Sequence, residues 1–136
     1  MKRIILLLLC LILMVGCSDS ASQKLEIGTY SGEYTVINNY GSPEEYSNSG
    51  VTELTLDQDS YNLTGETYIT PPFSSGHCNW TGTSITFQDT INHTANFDWT
   101  LIIGGTYNYS YDDNALEMSQ VDTDNNRKYT YSLTKD

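Results

Sequence analysis

The stretch that decides the fold is GTYNYSYDD, residues 105–113, in which tyrosine recurs at every second position. Tyr107, Tyr109 and Tyr111 would share one face of an extended chain, because successive side chains of a β-strand point to opposite sides. The acidic pair that follows is typical of a turn. A helix would need apolar residues three and four positions apart, and no window after residue 24 keeps that spacing.

The same alternation recurs before and after this stretch and predicts further strands. The predicted strands cover residues 27–37, 50–57, 61–65, 78–82, 85–87, 97–103, 107–111, 116–118 and 129–133. Residues 38–48 and 74–76 are rich in Asn, Ser, Gly and Pro, and they are predicted to be loops. Gly28 and Gly32 in the first strand would permit the strong bending that barrel corners need.

Short strands with turn signals every 8–12 residues or so are typical of an antiparallel sandwich or barrel. Most connections are short, which favours pairing of sequential neighbours. A closed barrel leaves no strand edge exposed, which suits a small β protein. We therefore predict an all-β, antiparallel up-and-down barrel of about eight strands, with a β-sandwich as the alternative.

The N-terminus carries Lys2 and Arg3 before an unbroken apolar run over residues 4–15. That run is too short to cross a bilayer core of about 30 Å as a helix, so an export signal is favoured. Met14-Val15-Gly16-Cys17 resembles the lipobox of bacterial lipoproteins. The resemblance implies cleavage before Cys17 and acylation of its thiol. A plain secretory signal that contains a cysteine is the alternative.

This interpretation divides the chain into a signal peptide (1–16), a flexible stalk (17–25) and a barrel domain (26–136). Loss of Lys2 and Arg3 with the signal takes the formal net charge from −11 to −13. So acidic a protein repels nucleic acid and anionic lipid, which excludes a nucleic-acid partner. Cys10 leaves with the signal and Cys17 is acylated, so Cys78 has no partner for an intramolecular disulfide.

Aromatic residues are the most unusual feature of the mature chain, which holds all 11 tyrosines and both tryptophans. One interpretation is structural, because aromatic cross-strand pairs stabilise sheets by roughly 0.2–1 kcal/mol each. The other is a cavity or rim suited to a partly apolar, hydroxylated ligand. The candidate ligand-binding residues are Tyr30, Tyr34, Trp80, Trp99, Tyr107, Tyr109, Tyr129 and Tyr131.

Catalytic and metal-binding patterns are weak. His77 and Cys78 are adjacent, so on a strand they would point to opposite faces and could not form a catalytic dyad. His93 would not complete a zinc site with the usual spacing. Residues 122–126 resemble the start of a calcium loop, but Arg127 stands where that loop needs Gly, so a hairpin turn is favoured. We predict no enzyme activity, metal or cofactor.

Three short motifs carry a family resemblance: Gly28-Thr29-Tyr30, Gly105-Thr106-Tyr107 and the closing residues 129–133, YTYSL. With them the chain resembles the small lipocalin-like lipoproteins of gut-type Gram-negative bacteria. Tyr30 stands where true lipocalins carry Trp. The resemblance implies an eight-stranded barrel. Ser18 follows Cys17, where an Asp would retain an enteric lipoprotein in the inner membrane, so the outer membrane is favoured.

Together these features predict a non-enzymatic lipoprotein of the bacterial envelope, held on the membrane by an N-terminal lipid. Its barrel would bind a small, partly apolar ligand. The alternative is a structural or protein-interaction lipoprotein, an accessory of a surface complex or an inhibitor, with a filled barrel and an exposed aromatic patch.

Overall fold

The computed structural model describes residues 24–66, 73–92 and 103–136. Over these ranges the chain forms eight strands: β1 (Gly28–Asn38), β2 (Tyr46–Leu56), β3 (Ser60–Glu66), β4 (Phe73–Trp80), β5 (Ser84–Asp89), β6 (Gly105–Asp112), β7 (Ala115–Asp122) and β8 (Arg127–Lys135). Each strand pairs antiparallel with the next, and β8 pairs with β1, which closes the barrel. The predicted all-β up-and-down barrel is confirmed.

No helix within the described ranges is long and apolar enough to cross a membrane. The strand predicted over residues 97–103 lies outside them, except for Ile103.

Alternation along each strand decides which side chains enter the barrel. On β8, Tyr129, Tyr131 and Leu133 are buried, while their neighbours are half-buried or exposed. The same pattern on the other strands fills the interior with large apolar and aromatic side chains. They are Tyr30, Tyr34, Val36, Leu54, Leu56, Tyr61, Leu63, Cys78, Ile85, Phe87, Tyr107, Tyr111, Leu116, Met118, Tyr129, Tyr131 and Leu133, with Leu25 and Ile103 from outside the strands.

The two ends of the barrel differ in their connections. At the end where β1 begins, here called the proximal end, neighbouring strands are joined by residues 57–59, 81–83 and 113–114. At the other end, the distal end, the fully described connections are residues 39–45 and 123–126. The two longest of the fully described connections therefore lie at the distal end, and loops carried on a rigid scaffold are the usual carriers of binding function.

Two predicted loops are wrong in part. Of the loop predicted over residues 38–48, Asn38 belongs to β1 and residues 46–48 belong to β2, where Tyr46 pairs with Asn38 and Asn48 with Val36. The backbone N–H and C=O groups of β1 need hydrogen-bond partners as far as Asn38. Polar residues without apolar alternation therefore pair with β1 and form part of the sheet. Residues 74–76 belong to β4, and Ser74 is fully buried because its hydroxyl is hydrogen-bonded inside the barrel.

Closure of the barrel brings backbones together at two glycines. A Cβ atom at Gly32 would lie 2.1 Å from the carbonyl oxygen of Ser132 and 2.9 Å from Leu133 Cα, both on β8. A Cβ atom at Gly76 on β4 would lie 2.0 Å from the carbonyl oxygen of Gln88 on β5. Glycine inside a strand commonly marks such a close approach. Gly32, where the sequence predicts that the strand can bend, thus lies at the seam between the first and last strands.

We expect Gly32→Ala to destabilise the protein by about 2–3 kcal/mol, because the added methyl group would have to displace the backbone of β8. Urea unfolding followed by circular dichroism measures the change. Gly82→Ala is the matched control, since a Cβ atom there meets nothing within 4 Å, and its effect should stay within about 0.5 kcal/mol. Equal stability of the two variants would contradict the proposed close approach.

Candidate functional site

A continuous chain of aromatic rings crosses the barrel interior. Ring centroids are 4.9 Å apart for Tyr61 and Phe87, 5.7 Å for Phe87 and Tyr107, and 5.8 Å for Tyr107 and Tyr131. Tyr34 continues it from Tyr131 at 6.0 Å. Most of these pairs meet edge to face, a favourable arrangement for ring quadrupoles. The tyrosines therefore pack on one another as core, as the structural interpretation predicts.

The buried hydroxyl groups are accommodated by hydrogen bonds. The Tyr61 hydroxyl lies 2.9 Å from Ser74 Oγ and 3.3 Å from the carbonyl oxygen of Ile103. Ser74 Oγ donates to Asp89 Oδ2 at 2.7 Å, and the Ile91 amide donates to the other carboxylate oxygen. Among the described residues, no buried side-chain nitrogen or oxygen lacks a partner. The buried phenol groups that accompany the apolar core are thus satisfied in their hydrogen bonding.

Sequence reasoning missed this network of Tyr61, Ser74 and Asp89. One signal could have found it. Asp89 continues the alternation of Ile85 and Phe87, which places a carboxylate on the inward face of β5. An inward carboxylate requires hydrogen-bond donors nearby, and hydroxyl groups are the donors that this chain supplies in abundance.

Burial keeps the interior groups protonated. Desolvation raises the pKa of Tyr61 to about 12, against a lowering contribution from its hydrogen bond to Ser74. It also raises the pKa of Tyr30, Tyr107 and Tyr131 well above the usual value. The Cys78 thiol has a pKa of about 11, raised by burial and then by the carboxylates of Asp59 and Asp57. A protonated, buried thiol is a poor nucleophile.

The structure brings together five of the eight candidate ligand-binding residues and separates the others. Tyr30, Tyr34, Tyr107, Tyr129 and Tyr131 are all buried inside the barrel. An eight-stranded barrel is just wide enough for side chains to fill it, and these rings occupy the interior that the described strands enclose.

Tyr109 and Trp80 are only partly buried and lie toward the proximal end, where the Tyr109 hydroxyl donates to the Thr81 carbonyl oxygen at 2.7 Å. Trp99 and the proposed lipidation residue Cys17 fall outside the described residues.

At the proximal end, residues 24–27 run across the base of the barrel. Leu25 is 2% exposed and belongs to the core, although the sequence places it at the end of the predicted stalk. The Tyr30 hydroxyl donates to the Glu26 carbonyl oxygen at 2.6 Å, and Glu26 forms an ion pair with Lys135. These contacts fix the point at which the chain enters the barrel.

An open groove of about 760 Å³, here called the proximal groove, lies beside this segment. It is lined by residues 24–27, by Asn79 and Trp80 at the end of β4, and by Gln58 from the turn after β2. Ile27 is 52% exposed there. The groove thus combines exposed apolar surface with amide groups and the charged side chains of Lys24 and Glu26.

At the distal end, two hairpins carry Tyr40, Tyr46, Val121 and Lys128, here called the distal patch. Tyr46 pairs with the inward-facing Asn38 at the barrel mouth, and Val121 pairs with Lys128 on the outer face. The Tyr40 amide donates to the Asn126 carbonyl oxygen at 2.9 Å, which ties the tips together. Lys128 Nζ lies 5.4 Å from the centre of the Tyr40 ring, a cation–π contact. Tyr46 is 56% exposed and Val121 is 50% exposed.

Two further predictions from the sequence concern metals and catalysis. His77 is exposed and Cys78 is buried, so the two side chains do point to opposite faces. The Asp122 carboxylate accepts hydrogen bonds from the Asp124 and Asn125 amides and from Asn125 Nδ2, which makes residues 122–126 a hairpin turn as predicted. Within the described ranges, no three His, Cys, Asp or Glu side chains are placed to share a metal ion.

We expect the free energy of unfolding to fall as pH rises from about 10 to 12. The folded protein retains phenolic protons that the unfolded chain releases near pH 10, so the unfolded state gains stability there. Each such tyrosine contributes a slope of up to about 1.4 kcal/mol per pH unit. Urea unfolding at a series of pH values measures this, and Tyr61→Phe should make the slope shallower. A flat profile over this range would contradict the burial of these phenols.

Comparison with protein-family models, with curated proteins and with solved structures found no match to this chain. Its candidate sites therefore rest on the geometry above.

Proposed function

We propose that the protein is a non-enzymatic, lipid-anchored lipoprotein of the bacterial envelope that binds another envelope protein through its distal patch. The anchor is the acylated Cys17, and the outer membrane is the favoured location. The observation that carries the proposal is the combination of a tyrosine-filled interior with exposed aromatic residues at the distal end. A filled barrel acts through its outer surface.

The composition of the distal patch supports this function. Tyrosine is enriched at the buried centres of protein interfaces because it offers a large, rigid contact area and a polar hydroxyl. Val121 adds an apolar contact, and Lys128 is held over the Tyr40 ring. Two hydrogen-bonded hairpin tips present these side chains, so the partner would meet a largely pre-formed surface.

A second candidate function is the binding of a small, partly apolar ligand at the distal mouth. Polar side chains follow the inward alternation there: Asn38 at the end of β1, Gln120 near the end of β7 and Arg127 at the start of β8. Tyr129 lies directly below Arg127 on the same face of β8. Amide and phenol groups above an aromatic floor suit a ligand with hydroxyl groups.

The anchor is tested by metabolic labelling with an alkyne-bearing palmitate analogue. We expect the wild-type protein to incorporate the label and to fractionate with membranes, whereas Cys17→Ala should lose both properties. Two or three acyl chains, at about 0.8 kcal/mol per buried CH₂ group, hold a protein on a bilayer where one chain does not. Cys78→Ala is the control that should remain labelled. An unlabelled wild-type protein would overturn the anchor.

The distal patch is tested by photo-crosslinking in intact cells, with benzoylphenylalanine in place of Tyr46. We expect one discrete protein adduct, which Val121→Asp in the same chain should reduce at least about tenfold, equivalent to 1.4 kcal/mol. The matched control places the crosslinker at Val51, which is equally exposed but lies on the barrel wall.

Adducts of similar yield from Tyr46 and Val51 would contradict the distal patch as the binding surface.

Native mass spectrometry of the protein purified from membranes distinguishes protein binding from small-ligand binding. A small-molecule adduct that Tyr129→Ala removes, without a protein adduct from position 46, would favour the ligand function.

A further inference from the structure

The position of the proximal groove relative to the anchor has a consequence for orientation. Cys17 precedes Lys24, the first residue of the groove wall, by seven positions. Seven residues span at most about 25 Å when fully extended. β1 alone has 11 residues and is about 36 Å long at 3.3 Å per residue. A segment of this length limits the distance between the anchor and Lys24 to about 25 Å, which is less than the length of β1.

Residues 24–27, where the chain joins the barrel, cannot leave the proximal end without losing core contacts. Leu25 is buried in the core, the Tyr30 hydroxyl donates to the Glu26 carbonyl oxygen, and Lys135 pairs with Glu26. Ile27 and Trp80, which both line the groove, are thereby held on the side of the barrel that the anchor approaches.

We propose that the proximal groove is a membrane-contact surface, in which Trp80 and Ile27 enter the headgroup region of the bilayer that holds the anchor. The proposal rests on the anchor at Cys17 given above. Tryptophan favours the membrane interface because its ring is apolar and its N–H remains able to bond with water or headgroups. Lys24, at the lip of the groove, can pair with a lipid phosphate.

Charge sets the kind of lipid that this surface accepts. Asp57 and Asp59 flank Gln58 in the groove wall, and Asp112 and Asp113 lie on another proximal turn. Against them stand Lys24 and Lys135, and Lys135 already pairs with Glu26. The proximal end is net acidic, so a zwitterionic headgroup layer suits it better than an anionic one.

Tryptophan fluorescence tests the proposal in the full lipidated chain. Trp99→Phe leaves Trp80 as the sole tryptophan, and this variant is placed in phosphatidylcholine vesicles with or without bromine on the acyl chains. We expect brominated lipid to reduce Trp80 emission at least about twofold. Added phosphatidylglycerol should weaken the quenching through repulsion by the acidic turns. Circular dichroism checks that the variant folds.

A tryptophan at the distal end is the matched control. Tyr46→Trp, combined with Trp80→Phe and Trp99→Phe, should give emission that brominated lipid leaves unchanged. Equal quenching at positions 80 and 46, or none at 80 in a protein shown to be acylated, would overturn the membrane contact while leaving the anchor intact. A blue shift of Trp80 emission without quenching would mean that something other than lipid covers the groove, and it would also overturn the membrane contact. Failure of acylation itself is read separately by the labelling of Cys17.

Discussion

The pairing of β1 with β8 is the constraint on which the rest of this structure depends. Nine residue pairs join the two strands, from Tyr30 with Lys135 to Asn38 with Arg127. The seam can form only because Gly32 lets the β8 backbone approach to within the reach of a methyl group. Without this seam two strand edges would be exposed, and the tyrosines on both strands would lose the opposite wall against which they pack.

The closed interior contains many hydroxyl groups, because tyrosine fills its volume and neighbouring side chains bond to the phenols. Cys78 is a free thiol, so no disulfide from it supports the barrel, and the described core must be held by packing and hydrogen bonds. Tyrosine supplies the volume of an aromatic ring together with a donor and an acceptor. Ser74 and Asp89 then complete the hydrogen bonding of Tyr61.

Sequence periodicity predicted the barrel and which faces of its strands are buried, because a period of two reports directly on inward and outward side chains. It did not find residues 46–49 or Ser74 as strand residues, since their pairing is imposed by neighbouring backbones rather than by their own polarity. It also grouped Trp80 with the inward tyrosines. Trp80 and these tyrosines all follow the inward alternation of their strands. Trp80, however, stands at the end of β4, where the enclosed interior opens into the proximal groove. The aromatic candidates other than Trp99, which lies outside the described residues, stand on the predicted strands and faces, and their depth along the barrel depends on tertiary packing that a period of two does not report.

The placement of the two proposed contacts has a mechanical consequence. A pull between the membrane and a partner bound at Tyr40 of the distal patch would enter at Gly28 and leave past Asn38, the two ends of β1. The load would then travel through the covalent backbone of one strand that is already extended. The hydrogen bonds of the neighbouring ladders would not have to slide past one another to carry it. Such a barrel could transmit tension across its full height while its core remained unloaded.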